Sequence, residues 1–344
     1  MRATLTAGFL KESEYAAWNL LVHASSEGSV YASPAYLAAL CEATGGRFQI
    51  LAARRGEELL GGIALYERDV GSRVRVSPRP LLYYNGIILR EHATKYPSQR
   101  TSRILEVTGA LENALTNAGF ESVVLKNRPS LTDARVFIAQ GWSVRPGYSY
   151  VVPIGNLTEA WGRVEQNLRR LVKRCSEQGL QITEDEDFES FYRMHVDTAE
   201  RKGAPLYLPK AEFSRFFSTL RELGLCRLYH ARLPNGQSVS SQLVLTGKHA
   251  VSHSVSAAAD PAHLNSGATA FLRWKVFEAL SGLGFMANDL TDAALNPVAH
   301  FKSQLGGNLE ICLILERTWK ASGWRDRLGS VISKFTKTPA SRGR

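Results

Sequence analysis

Four ionisable side chains, Asp289, Asp292, His300 and Lys302, gather late in the chain, and their setting suits reaction chemistry. Residues Met286–Leu290 read as a strand, and the stretch Thr291-Asp292-Ala293-Ala294-Leu295-Asn296-Pro297 follows it. Asn296 is a natural N-cap and Pro297 a natural first helical residue, so a helix starts here and runs to Gln304 before Gly306-Gly307 stops it. The four residues therefore crowd the carboxyl end of a strand and the helix after it, where open α/β sheets form their ligand crevices. His300 and Lys302 are two apart and cannot share a helix face, so at most one points inward. Lys302 is the candidate: a lysine there can stabilise an oxyanion, donate a proton or hold a phosphate. Asp289 or Asp292 is the candidate base.

Two further segments could handle phosphate. After the turn at Asp260-Pro261, Asn265-Ser266-Gly267 leads into a helix with Leu272, Val276, Ala279 and Leu283 as its buried stripe. Small residues ahead of a helix leave backbone N–H groups open to an anion, although a plain N-cap has the same composition. Upstream, Arg163, Arg169, Arg170, Lys173 and Arg174 surround a single acid, Glu165. They either meet phosphates or form the wet face of an amphipathic helix buried through Trp161, Val164, Leu168, Leu171 and Val172.

The elements that must position these groups repeat. Ala114-Leu115, Gly119-Phe120 and Leu125 recur 165 positions later as Ala279-Leu280, Gly284-Phe285 and Leu290, and Gly141 recurs as Gly306. Each copy reads as a helix stopped by a glycine, a short strand, a second helix and another glycine. A hairpin precedes each: Phe48–Tyr66 turns at Arg55-Gly56-Glu57, and Leu228–Leu245 turns at Pro234-Asn235-Gly236. From hairpin glycine to helix-stop glycine is 63 positions in the first copy and 48 in the second. The first therefore holds about 15 extra residues between Arg68 and Arg103. Hairpin, helix, strand, helix, twice over, gives an α/β chain of two tandem units, each a mixed sheet with helices on its faces.

The bulk composition narrows the classes. At 344 residues, 44% hydrophobic and 22% charged, the chain is globular with room for two domains. No apolar run reaches the roughly 18 residues of a membrane span. Charges at Lys11, Glu12 and Glu14 interrupt the N-terminus, so no secretion signal is read and the cytoplasm is the expected location. Cys41, Cys175, Cys226 and Cys312 are scattered, without metal-ligand spacing. Of the net charge of +10, residues 317–344 carry +7, from eight basic side chains against Asp326. Trp324, Leu328, Val331, Ile332 and Phe335 fall on one helical face there. Such a tail packs on the body of the protein or lies on an anionic membrane surface.

The segment Asn296-Pro297-Val298-Ala299-His300-Phe301-Lys302-Ser303-Gln304-Leu305-Gly306 resembles the last motif of GNAT N-acyltransferases. Phe301-Lys302 stands where that motif has its tyrosine, as in the FemABX and BioF2-like branch, whose members are built from two GNAT-like halves. Asn167-Leu168-Arg169-Arg170 with Lys173, Glu200-Arg201-Lys202-Gly203 and Tyr83-Tyr84-Asn85-Gly86 resemble further stretches of that branch, so the likeness spans roughly residues 28–318. It implies two tandem GNAT-like domains, 1–147 and 148–318, each with a mostly antiparallel mixed sheet flanked by helices, then a basic amphipathic helix and tail over 319–344. The second domain would carry the crevice. The resemblance implies metal-free transfer of an acyl or aminoacyl group onto an amine, perceived as part of an envelope precursor of peptidoglycan or exopolysaccharide. The donor would be acyl-CoA or aminoacyl-tRNA, with no tightly bound cofactor. Phe301 and His300 would line the substrate site beside Lys302, Arg169, Arg170 and Lys173 would meet phosphates, and Asn265-Ser266-Gly267 would take the coenzyme. The coenzyme-binding loop is degenerate, with Leu264 and Thr269 at its outer positions. Between Asp187 and Phe217 there is no long heptad pair to serve as a tRNA-binding arm. A peripheral position at the inner membrane face is compatible with the tail. The competing reading is a non-catalytic duplicated GNAT-like protein that binds nucleic acid or membrane through its basic surfaces.

Overall fold

The computed structural model describes residues 4–295 and 297–319. Asn296, read above as an N-cap, and the basic tail beyond Trp319 lie outside the described residues. The first unit comprises β1 (Leu5–Phe9), α1 (Tyr15–Ala24), α2 (Pro34–Thr44), β2 (Arg47–Arg55), β3 (Glu58–Val70), β4 (Arg73–Val76), β5 (Ile87–Leu89), α3 (Pro97–Asn117), β6 (Ser122–Lys126), α4 (Arg135–Ala139) and β7 (Ser143–Pro153). The second comprises α5 (Leu157–Arg163), α6 (Gln166–Glu177), β8 (Gln181–Glu184), α7 (Phe188–Lys202), α8 (Lys210–Glu222), β9 (Cys226–Arg232), β10 (Ser238–Leu245), β11 (Val251–Ala259), α9 (Ala268–Gly282), β12 (Ala287–Asp289), α10 (Pro297–Gln304) and β13 (Asn308–Thr318).

All thirteen strands form one sheet in the order β1-β2-β3-β4-β6-β13-β7-β12-β11-β10-β9-β8, with β5 beside β3. Read from both ends, the order matches β1 with β8, β2 with β9, β3 with β10, β4 with β11, β6 with β12 and β13 with β7. Only β4·β6 and β11·β12 are parallel. The duplication is thus realised strand for strand, and the offset of 165 that relates the glycines also carries β7 onto β13 at both ends. Those two strands pair with each other from Ser143↔Glu316 to Asn308↔Val151, centred on Gly147↔Cys312. Positions 147 and 312 are themselves 165 apart, so the pseudo-twofold axis runs through this pair. Each unit therefore lends its last strand to the other: β13 pairs with β6, and β7 with β12. Residue 147, the expected domain boundary, falls in the middle of a strand that the two units share.

The helix stops form as the glycines require. Gly119, Gly141, Gly284 and Gly306 all have positive φ, which only glycine adopts at little cost. The extra residues of the first copy are the segment between β4 and α3, which adds β5 to the sheet. One core cluster joins the two units, packing Trp18, Tyr36 and Leu40 of α1 and α2 against Phe213, Phe216 and Leu220 of α8. Each such side chain contributes about 1.5–3 kcal/mol through burial. The other two clusters lie under α3 and α4 in the first unit and under α5, α6 and α9 in the second.

Three local expectations differ from the structure. The basic helix is two helices, α5 and α6, broken at Val164-Glu165. There the turn after α10 comes close: Glu165 N–H donates to the Gln304 carbonyl at 2.9 Å, and a Cβ on Gly306 would sit 3.0 Å from that of Arg163. The buried face of α9 is much wider than a stripe, taking in Phe271, Arg273, Trp274 and Phe277, while Leu283 lies past the helix end and is 48% exposed. The strand expected over Met286–Leu290 is shorter, Ala287–Asp289.

Candidate active site

The sequence after β12 makes a tight left-handed loop. Thr291 has φ of 47° and Asp292 of 56°, a strained pair for non-glycine residues, and a β-branched residue is rare there. What holds the loop is Asp289, whose fully buried carboxylate accepts from the Thr291 N–H at 2.8 Å, the Tyr84 hydroxyl at 2.9 Å and the Ser149 hydroxyl. The Thr291 hydroxyl in turn donates to the Ser254 carbonyl of β11 at 2.9 Å. The parallel pairing of β11 with β12 covers only Val251–His253, so the crevice opens where this loop begins.

Lys302, on the inward side of α10, is 9% exposed and closes the loop from behind. Its ammonium donates to the Thr291 carbonyl and to the Asp292 carbonyl, the latter at 2.6 Å. Burial, aided by repulsion from Arg273, lowers its pKa from a lysine's ordinary 10.5 to about 8, against the pull of Asp292 and Asp289. These two carbonyls engage two of the three ammonium hydrogens.

Asp292 lines a cavity of ≈ 450 Å³ where the two units meet, shared with Arg79, Tyr83, Lys126, Arg145 and Tyr207. The Lys126 ammonium lies 5.2 Å from the Tyr83 ring centroid and 5.9 Å from that of Tyr84, within cation–π range. Burial raises the pKa of both Tyr83 and Tyr207, so each stays a neutral phenol at physiological pH. His195, its ring tilted by 60° to that of Tyr207 with centroids 4.9 Å apart, is pushed by burial to a pKa of about 4 and is a neutral imidazole.

The structure thus brings Asp289, Asp292 and Lys302 together around one loop. His300 is exposed on the outer side of α10, and Phe301 packs partly buried against the second unit's core. Arg169, Arg170 and Lys173 lie on α6, and Lys173 lines a separate groove with Trp161 and Trp274. Gly267, at φ of 91°, begins α9 against α6: a Cβ there would be 3.1 Å from Leu171. Ser266 caps that helix by accepting from Ala268 N–H at 3.1 Å, its carbonyl accepts from Arg174 at 2.8 Å, and Asn265 is exposed. Among the described residues no cluster of His, Cys, Asp and Glu is placed to hold a metal, and no helix is long and apolar enough to cross a membrane. Tyr84, Tyr207, Ser149 and Arg273 are site residues that sequence reasoning did not select. The signals for Tyr84 were the resemblance of Tyr83-Tyr84-Asn85-Gly86 to a stretch of the FemABX branch and its place in the extra segment of the first copy.

Comparisons with known proteins bear on the fold that carries this loop. Residues 162–303 match the family model described as an acetyltransferase (GNAT) domain. No curated protein sequence matches the chain. Among solved structures, FemX superimposes with a TM-score of 0.67 at 12% identity, covering 95% of this chain and 99% of its own. L-PGS from Bacillus licheniformis gives 0.58 at 12% identity, over 94% of this chain and 96% of its own. A tandem GNAT protein from the clavulanic acid biosynthesis pathway gives 0.54 at 14%, over 93% and 100%. At such identities the likeness is one of fold, and it extends over both units. Residues 162–303 therefore match a GNAT domain, and the fold of the whole chain is similar to that of FemX and of the tandem GNAT protein.

Proposed function

We propose that this protein is an N-acyltransferase that moves an acyl or aminoacyl group from an activated ester or thioester onto an amine. The observation that carries this reading is the buried Lys302 ammonium, anchored on two loop carbonyls, beside Asp292 of the same loop, which lines a roomy cavity. In the reaction the amine nitrogen attacks the carbonyl carbon, and the oxygen that becomes negative is stabilised by the remaining Lys302 N–H. Asp292 takes the proton lost by the amine, and Lys302 protonates the departing thiolate or ribose oxygen. Asp289 is the positioning residue that sets the loop. The cavity supplies most of the rate by holding the two reactants in line.

The acceptor is an amine on an anionic envelope precursor, since Arg79, Lys126 and Arg145 give the cavity three cations. Likeness to a protein titled a putative lysylphosphatidylglycerol synthetase supports an envelope acceptor and an aminoacyl donor. The GNAT domain supports acyl-CoA as the other donor. At the start of α9 the Ala268 N–H is already taken by the Ser266 hydroxyl, which favours aminoacyl-tRNA over a coenzyme whose pyrophosphate would use that helix end. Action on such precursors fits the cytoplasm, at the inner membrane face. The test is a transfer assay with both donors and with amine-bearing peptidoglycan and lipid precursors, read by mass spectrometry. An amide-linked product supports the proposal; neither donor losing its acyl group to any amine would overturn it.

A further inference from the structure

We infer that Arg273, flanked by Lys202 and Lys302, is a receptor for a phosphate group of the acyl donor. Arg273 projects from the middle of α9, is 7% exposed, and has both Nε and Nη1 buried without a hydrogen-bond partner among the described residues. Among the described residues the other buried guanidinium, Arg128, leaves only its Nε without a partner, while its Nη1 donates to the Ser26 and Gly28 carbonyls, at 3.1 and 2.5 Å. No carboxylate offsets Arg273, since burial is the only influence on its pKa, lowered to about 10. It remains charged at neutral pH. A buried, charged and unpaired fork is costly, and an incoming oxyanion that accepts two parallel N–H bonds would remove the cost.

The surroundings fit an anion more highly charged than a carboxylate. Arg273 is close enough to Lys302 and to Lys202, at the end of α7, for its charge to lower the pKa of both. Both lysines thus lie within electrostatic reach of Arg273, and they come from elements that follow and precede α9 in the chain. Nothing in the proposed chemistry uses Arg273 or Lys202. The receptor rests on the acyl-transfer reading in one respect, that the phosphate belongs to the donor. It places the donor's phosphate beside the reacting carbonyl instead of at the start of α9, where the Ser266 hydroxyl takes the Ala268 N–H.

The test is calorimetric titration of the full chain with inorganic pyrophosphate, coenzyme A, a CCA trinucleotide and acetate, repeated with Arg273→Met, Arg273→Lys and Lys202→Gln. Pyrophosphate binding that falls at least about tenfold in Arg273→Met, partly recovers in Arg273→Lys and weakens in Lys202→Gln supports the receptor. Coenzyme A or the trinucleotide then shows which donor supplies the phosphate. Binding unchanged in Arg273→Met, or acetate bound as well as pyrophosphate, overturns it. Melting in phosphate-free buffer guards against misfolding: without ligand, Arg273→Met melts no lower than wild type, whereas a structural arginine would melt lower. Wild-type transfer activity decides the proposed function separately, so transfer without Arg273-dependent binding would sink the receptor alone.

Discussion

Replacing Lys302 with methionine shortens the unbranched side chain by one atom and removes its charge. The pKa difference between an ordinary 10.5 and about 8 corresponds to about 3 kcal/mol against the charged form in the folded protein. The lost bonds to the Thr291 and Asp292 carbonyls, about 1.5 kcal/mol or more each, are of similar size. Lys302→Met therefore changes stability at pH 7 by no more than about 2 kcal/mol. Turnover falls about 100- to 1000-fold, the usual loss when one oxyanion donor is removed. The pH dependence has a definite sign. Below pH 8 both folded and unfolded states hold the proton and the folded state bears the cost. Between 8 and 10.5 only the unfolded state holds it, so wild type gains stability relative to Lys302→Met, about 2 kcal/mol by pH 9.5. Over the same range the wild-type rate falls, because the charged lysine is the active form. Urea unfolding at pH 7 and 9.5, with initial rates from pH 6 to 10, checks all of this. Near-wild-type turnover in Lys302→Met, or a rate still flat at pH 10, would refute the role.

Other consequences follow from single contacts. Asp289→Ala strands the Tyr84 and Ser149 hydroxyls and the Thr291 N–H, and should cost about 3 kcal/mol in urea unfolding; a change under about 0.5 would mean the carboxylate does not hold the loop. Asp292→Gly removes left-handed strain, so stability should rise by about 1 kcal/mol while turnover drops about 100-fold or more. Gly147→Val, at the pseudo-twofold axis, meets Cys312 Sγ and Ile314 Cδ1 at 2.9 Å and should cost about 1–3 kcal/mol. Gly109→Ala, in α3 with open space at its Cβ, should instead gain up to about 1 kcal/mol in the same assay.

The duplication was legible because its marks are local: a helix that must stop at a glycine and a strand that follows at once. The hairpins were legible for the same reason. The exchange of β7 and β13 was not, since nothing within either strand says that its partner lies 165 positions away. Lys302 could be preferred over His300 because helical geometry separates residues two apart. Asp289 and Asp292 looked alike in sequence, yet the fold buries one among hydroxyl donors and sets the other in the lining of the cavity. Tyr84 reaches Asp289 across 205 positions, a contact that no spacing rule encodes. Arg273 was hidden because an apolar helix with two cations, Arg273 and Lys275, reads as a helix with a wet edge, and only burial separates the first from the second.

Hydrogen exchange of the full chain, with and without a non-hydrolysable donor analogue, tests most directly whether the loop after β12 is where transfer occurs. The account predicts that bound coenzyme A analogue or aminoacyl-nucleotide analogue protects amides around Leu290–Ala294 and Tyr83–Tyr84 and leaves the outer strands β1 and β8 unchanged. Saturating binding of either analogue with no added protection in those segments would contradict it.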